Sequence, residues 1–317
     1  MEYYIAFWNV ENLFDVKDSP QRSEKLKRVL KNELTGWTAQ VLEKKLDQLA
    51  SIIKQMNNNS GPDLLGVCEV ENAFVLEMLA DKIAIDGRNY KISHDNSQDN
   101  RGIDVAFIYD SKKLKAHEQF SHFIQKRTAT RDLFQVNFKT KYDNLLVVVG
   151  NHWPARMGGQ YESEPYRMMA GETLGYFHER IREIYGKDVA VLAMGDFNDE
   201  PFNRSITEYA RAEQTRTKVT RARSAKFLNM MWPLMGEGKG SYYNANDPNM
   251  LDQFLASKGL LTGNSGLKIK QDSVEVVQFA EMVNTGTYPT PIRFSRGKSL
   301  NKKGFSDHFP ISIILKE

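Results

Sequence analysis

Eight short apolar runs spread along the whole chain, none longer than a strand, constrain this sequence more than any other feature. They are YYIAFWN (3–9), DLLGVCEVEN (63–72), IDVAFIYD (103–110), LFQVNFK (133–139), LLVVVGNHW (145–153), VAVLAMGDFND (189–199), LDQFLAS (251–257) and HFPISIILKE (308–317). Rich in Val, Ile and aromatic residues, they read as buried or half-buried strands. Two longer segments have helical spacing. Val41, Leu42, Leu46, Leu49, Ile52, Ile53 and Met56 share one stripe and predict a helix over 39–56. Met168, Met169, Leu174, Phe177, Ile181 and Ile184 predict a second over 164–185, with Gly186 placed to stop it. A third, shorter helix fits 73–85. Strands and helices mixed from end to end, with neighbouring strand pairs, predict an α/β sandwich of mixed sheets rather than an alternating parallel barrel. No fixed-period repeat and no long flexible linker divides the chain, so one domain over 1–317 is expected. The run 57–62 reads as a turn, and 15–38, 202–240 and 284–304 as polar surface excursions.

Composition excludes several classes. Lys and Arg total 43 against 40 Asp and Glu, a net charge of +3 that by itself names no polyanionic partner. Cys68 is the single cysteine, which rules out an intrachain disulfide framework and argues against a cysteine zinc site. No run reaches the roughly 18 apolar residues of a membrane span. The first fifteen residues show no export signal, so a cytoplasmic location is expected.

The polar residues that end the runs carry the chemistry: Asn9 and Glu11, Glu69, Asn151 and His152, Asp196 and Asn198, Asp307 and His308. A buried strand that ends in such groups is costly unless they are satisfied, and several ends of one sheet can converge on a shared site. Carboxylate and amide oxygens without cysteine are hard ligands, suited to Mg2+, with Mn2+ or Ca2+ as alternatives. Histidines beside them can move protons. An oxygen-ligated ion plus imidazoles is the equipment for hydrolysing phosphate esters. Each group alone also fits an ordinary strand end, cap or turn; their combination and order make the pattern specific.

WNVENL, GVCEVEN, GNHWPAR, MGDFND, LDQFLAS and FSDHFPI resemble, in order and over almost the whole chain, the endonuclease/exonuclease/phosphatase superfamily with the deoxyribonuclease-I-like fold. RGIDVAFIY, SEPYR and GSYYN are similar to a bacterial branch of it. The resemblance implies a four-layer α/β/β/α sandwich of two mixed sheets flanked by helices, with the site at one end. It implies Glu69 as principal metal ligand, helped by Asn9, Glu11 and Asp307. His308 matches the histidine that contacts the scissile phosphate, and Asp252 the carboxylate that orients it. Asp196 and Asn198 match the pair that positions the attacking water and holds a phosphate oxygen. His152 matches a second histidine, which the abasic-site endonuclease branch replaces with tyrosine, and an acid near Asp104 is expected to orient it.

Arg101, Arg131 and Arg156 adjoin strand ends, where they suit either bidentate phosphate binding or local ion pairs. Between 211 and 226 stand Arg211, Arg216, Lys218, Arg221, Arg223 and Lys226 against Glu213; this stretch suits either a nucleic-acid backbone or a solvated helix face. A second basic set, Arg293, Arg296, Lys298, Lys302 and Lys303, precedes the SDH triplet. Tyr242, Tyr243, Trp232 and Trp153 are candidates either for base stacking or for the core. The expected activity is a magnesium-dependent phosphodiesterase with DNA or RNA as substrate; a phosphatase or phospholipase-like diesterase is the alternative, and an inactive binding module on the same fold a minor one.

Overall fold

In the computed structural model the chain is described over residues 1–296 and 299–317, with only the backbone of Arg296. The first sheet has seven strands: β1 (Glu2–Leu13), β2 (Leu64–Val70), β3 (Tyr90–His94), β4 (Asp104–Asp110), β14 (Lys268–Ile269), β15 (Glu275–Val276) and β18 (Ile311–Lys316). Its order is β14-β18-β1-β2-β4-β3, with β15 also on β18. The second sheet also has seven: β5 (Leu114–His122), β6 (Leu133–Thr140), β7 (Leu145–His152), β8 (Ala190–Asp196), β9 (Ala212–Glu213), β10 (Phe227–Asn229) and β13 (Asp252–Ser257), in the order β5-β6-β7-β8-β13-β10-β9. Both are mixed: β1 with β2, and β7 with β8, are parallel pairs inside otherwise largely antiparallel sheets. Two small hairpins, β11 (Tyr242–Asn244) with β12 (Asp247–Asn249) and β16 (Ser295–Arg296) with β17 (Ser299–Leu300), lie outside them.

The helices are α1 (Glu24–Val29), α2 (Ala39–Asn59), α3 (Ala73–Lys82), α4 (Gln160–Tyr185), α5 (Arg216–Thr220), α6 (Trp232–Gly236) and α7 (Lys258–Thr262). Strand alternation divides the core. On β8, Ala190, Leu192 and Met194 pack between the sheets, while Val191 and Ala193 face the cluster containing Leu174 and Ile181 of α4. Leu146 and Val148 of β7 point one way, Val147 and Val149 the other. Burial on both faces is why these runs read as unbroken apolar stretches. Two glycines leave room for side chains of the facing sheet: a Cβ on Gly150 would lie 2.6 Å from Val105, and one on Gly66 2.8 Å from Met194. With α2 and α3 outside the first sheet, the layers run helix, sheet, sheet, helix.

Three expectations change. The helical φ/ψ of α2 end at Met56 (ψ 155), because Asn57 and Asn58 are left-handed, so the 39–56 reading describes the regular part. α4 starts a turn before 164, held by buried Arg167, which donates to Gln160 O (2.8 Å) and Ser163 Oγ (2.7 Å). The segments 15–38 and 202–240 are not plain surface. Leu30, Leu34 and Trp37 are buried, Arg22 pairs with Glu71 at 2.6 Å inside the protein, and β9 and β10 complete the second sheet. Their apolar residues are too scattered to form a periodic run.

Candidate active site

The parallel pairs β1–β2 and β7–β8 end on the same side of the sandwich, since Asn9 Nδ2 donates to Asp196 Oδ2 across the two sheets at 3.0 Å. Within the second sheet, Asp196 of β8 stands opposite His152 of β7 and Asp252 of β13. Residues paired across neighbouring strands face the same way, so three functional groups share one face beside the inter-sheet core. His308 arrives from the approach to β18. Ser306 Oγ donates to Asn9 O (2.6 Å) and accepts from His308 N (3.1 Å), while Trp8 Nε1 donates to His308 O (2.8 Å). The SDH triplet is thus tied to β1 by its serine.

The parallel strands β1 and β2 of the first sheet both break register at the site. The β1–β2 pairing shifts between Asn9 and Leu13, where Glu11 (φ 52) and Asn12 (φ 57) are left-handed. The β2–β4 pairing shifts between Cys68 and Val70, around Glu69 (φ 66). Such conformations cost on the order of 1–3 kcal/mol each and persist where surrounding bonds hold them. Here Asn12 N donates to Glu69 Oε2 (2.9 Å), and Phe294 N and Ser295 N donate to Glu11 (2.9 and 3.2 Å). The bulges bring Glu69 and Asn9 together, with Asn9 Nδ2 3.5 Å from Glu69 Oε1.

The buried ionisable groups are driven apart. Burial works against charge on His308, but Asp252, 2.7 Å from its Nδ1, together with Asp196 and Asp307, holds the imidazolium well above its usual range. Burial, then Arg131 and Arg101, pushes His152 well below its usual range and keeps it neutral. Burial raises Asp196 to about 7, against the opposing pull of His308. Asp307 is raised for the same reason, although Arg293 lies 2.9 Å away. Beneath the acids, fully buried Lys45 donates to Phe305 O (2.6 Å); burial lowers it to about 8 while Glu11, Asp307 and Glu69 pull it back up.

Asn9, Glu69, His152, Asp196, Asn198, Asp307 and His308 line a cavity of about 780 Å³, as do Arg101, Arg131 and Arg156. Asp252 lies behind His308, fully buried. Asn198 is left-handed (φ 51); its N–H donates to Asp196 Oδ1 (2.9 Å) and its amide to Trp153 O (3.0 Å). Arg131 binds Asp99 (3.1 Å) and Trp153 O, Arg156 binds Asn198 O (2.8 Å), and Arg101 binds Glu33 (2.9 Å). Among the described residues, Nε of Arg131, Nη2 of Arg156 and Nδ1 of His152 are buried without a partner.

Several expectations are corrected. Glu11 is 2% exposed and spends its oxygens on Phe294 and Ser295, so it anchors that segment rather than facing the cavity. Asp104 pairs with His94 (3.2 Å) and accepts from Ser97, leaving His152 without it. Trp153 is fully buried against Phe197 and offers no stacking face. Trp232 lies beside Gln214 and Arg216, away from the cavity. The basic run 211–226 borders Val189 and Ser257, the ends of β8 and β13 farthest from Asp196 and Asp252. It lies a strand length, about 20 Å, from the site. Lys298 falls outside the described residues. Asp99, Lys126, Tyr166 and Lys45 are site neighbours that motif reading missed. Lys45 alone left a trace, a lysine on the apolar stripe of α2 between Leu42 and Leu49.

The oxygen donors suit a hard cation. Glu69 and Asp307 line the cavity with carboxylates, whereas Asn9, expected as a ligand, turns its amide nitrogen to Glu69 and Asp196 and uses Oδ1 to accept from Glu11 N (3.1 Å). Asp196, Asp252 and His308 also bring ligand atoms within 4.8 Å of one another. That trio includes an imidazolium bound to Asp252, however, and it could ligate a cation only after losing its proton.

The sequence profile described as the Endonuclease/Exonuclease/phosphatase family matches residues 4–317. No curated protein is significantly similar in sequence. Among solved structures, D. rerio TDP2 carrying 14 humanising mutations superposes with a TM-score of 0.60 at 14% identity, covering 100% of this chain and 99% of that one. An endonuclease/exonuclease/phosphatase family protein from Bacteroides thetaiotaomicron gives 0.58 at 14% identity, covering 99% and 97%. A mannosyl-6-phosphatase from the same species gives 0.55 at 15% identity, covering 99% and 100%. At these identities the likeness is one of fold.

Proposed function

The chain belongs to the endonuclease/exonuclease/phosphatase family, whose members are phosphoric ester hydrolases, and from that premise we propose a divalent-metal-dependent phosphodiesterase acting on DNA or RNA. The observation that carries this reading is the geometry around Asp196: His308, hydrogen-bonded to Asp252 at 2.7 Å, and His152 each stand with Nε2 3.9 Å from Asp196 Oδ2, and their surroundings favour the charged form of the first and the neutral form of the second. Titratable groups whose environments drive them apart divide acid from base work.

His308, fixed through Nδ1 by Asp252, turns Nε2 toward Asp196 at 3.9 Å. Charged, it donates to a phosphate oxygen and delivers a proton to the oxygen that leaves as the P–O bond breaks. Asp196 takes the proton of the water whose oxygen bonds to phosphorus; the burial that raises its affinity for a proton strengthens it as a base. Asn198 holds Asp196 through its backbone N–H and places its amide at the cavity wall. Neutral His152, 3.9 Å from Asp196 and 3.8 Å from Glu69, is a hydrogen-bonding partner for a phosphate oxygen. Arg131 and Arg156 offer their unpartnered nitrogens to the same anion. Glu69 and Asp307 would hold Mg2+, as they would Mn2+ or Ca2+, and a cation bound there would withdraw charge from the phosphate.

Hydrolysis of plasmid DNA, single-stranded RNA and bis-p-nitrophenyl phosphate, each with Mg2+, Mn2+ or EDTA, tests the reading beside an Asp196→Ala control. Metal-dependent loss of nucleic acid, absent in the control, supports a nuclease. Turnover of the small ester alone moves the substrate to a nucleotide, sugar phosphate or lipid, and activity equal in the control overturns the assignment.

A further inference from the structure

We propose that Tyr166, with Lys126 over its ring, is a base-stacking platform at the cavity mouth, so that the nucleic acid entering the site is single-stranded there. The proposal rests on the phosphodiesterase reading above and names the form of its substrate. Lys126 Nζ lies 4.6 Å from the Tyr166 ring centroid, and both residues line the cavity that contains Asp196 and His308. Tyr166 is 37% exposed, and among the described residues its hydroxyl has no hydrogen-bond partner, so the ring serves neither the core nor a polar network. The same cavity wall carries Arg131 and Arg156, whose unpartnered nitrogens are buried. A part-exposed aromatic ring that lines the cavity, polarised by a lysine on one face and near two guanidinium groups, is the equipment that holds one base and its flanking phosphates.

The platform is also fixed relative to the reacting groups. Arg167, the next residue in α4, is fully buried, and its Nε lies 2.8 Å from Asp199 Oδ1, three residues beyond Asp196. A ring held in register with the catalytic groups can align a substrate; a mobile one cannot. Met157 (83% exposed) lines the same cavity and adds further apolar surface for bases. Inside a duplex both faces of each base are covered by stacked neighbours, so along a strand, away from a duplex end, only an unpaired base can use such a ring. An anionic membrane fits less well: the cations point into the cavity, while Glu162 and Glu172 stand on the exposed side of α4.

The test is equilibrium binding by the full chain in EDTA. The probes are short single-stranded DNA and RNA, a duplex of the same sequence, an abasic oligomer of the same length, and phosphatidylserine vesicles. Single strands are expected to bind more tightly than the duplex. Tyr166→Ala should weaken their binding about tenfold and leave the abasic oligomer unchanged, while Tyr166→Phe retains affinity. Lys126→Met should reduce the salt slope by about one. Equal affinity for duplex, an equal Tyr166→Ala loss on the abasic oligomer, or vesicle binding that Tyr166→Ala abolishes would each overturn the platform. Bis-p-nitrophenyl phosphate separates the two readings. If the wild-type chain turns it over yet shows no preference for unpaired bases, the platform alone falls; if it turns over no phosphodiester, the phosphodiesterase reading falls and takes the platform with it.

Discussion

The two ends of the sandwich both carry charged side chains and treat them differently. At the end away from the cavity, Lys218 and Lys226 pair with Glu213, Arg211 lies 3.6 Å from Glu179, and the guanidinium of Arg216 donates to Leu261 O. His178, buried there, is neutral and stacked on Phe227 with ring centroids 3.8 Å apart. At the cavity end, buried Asp196 and half-buried Asp307 have raised proton affinity, two guanidinium nitrogens lack partners, and Glu69 and Asn198 sit in left-handed backbone. Matched charge is what a stable surface needs. Buried polar atoms left without partners, beside left-handed non-glycine backbone, have a cost that folding alone does not recover, and that cost marks the functional end more reliably than the number of basic residues.

The largest expected effects break the cavity end alone. Asp196→Ala and His308→Ala should each lower turnover of bis-p-nitrophenyl phosphate by about a thousandfold, with the thermal midpoint changing little. A variant that keeps full turnover would remove the distinction between the ends. Glu69→Gln takes one charge from the proposed cation wall and should weaken Mg2+ binding by about tenfold in a calorimetric titration, whether or not substrate is present. Unchanged Mg2+ affinity would move the cation to the Asp196, Asp252 and His308 group.

A smaller effect belongs to the opposite end and is read as stability. Burial, then Arg182 and Arg211, pushes His178 down to about 3 from an ordinary 6.5. As pH falls, the unfolded chain takes this proton first, so the contribution is complete above 6.5 and drains away as pH falls toward 3. At pH 5 the loss is about 2 kcal/mol relative to pH 8. His178→Leu should flatten that part of the denaturant-measured stability profile, and an unchanged profile would mean that the imidazole is hydrated in the native state.

The difference between the ends also explains what could be read from the sequence. Asp196, Asp252, His152 and His308 were legible because each ends or adjoins an apolar run, and although one such residue fits an ordinary strand end, several in this order do not. Asp252, set opposite Asp196, took its place from strand register, which follows the alternation of buried faces. Glu11 misled because sequence shows which residue stands at a strand end but not which way a bulge turns it; two left-handed residues send its carboxylate to Phe294. Lys45 and Tyr166 were hidden for a related reason. One lies on an apolar stripe where a lysine normally directs its amine to water, and the other on a helix face whose nearness to the cavity depends on how Arg167 meets Asp199.

The basic run 211–226 sharpens the comparison through an effect expected to be near zero. Its density of arginine and lysine resembles a nucleic-acid footprint, yet it lies about one strand length from Asp196. A strand held at Tyr166 would have to wrap the sandwich to reach it. Neutralising exposed Lys218, Arg221 and Arg223 together, as Lys218→Gln, Arg221→Gln and Arg223→Gln, should change turnover of single-stranded substrate by less than about twofold. The affinity and salt slope for a short oligomer should also hold, since no phosphate contact is removed. If the slope falls by about three, the far end belongs to the substrate path, and local pairing of charge would no longer separate a solvated face from a binding one.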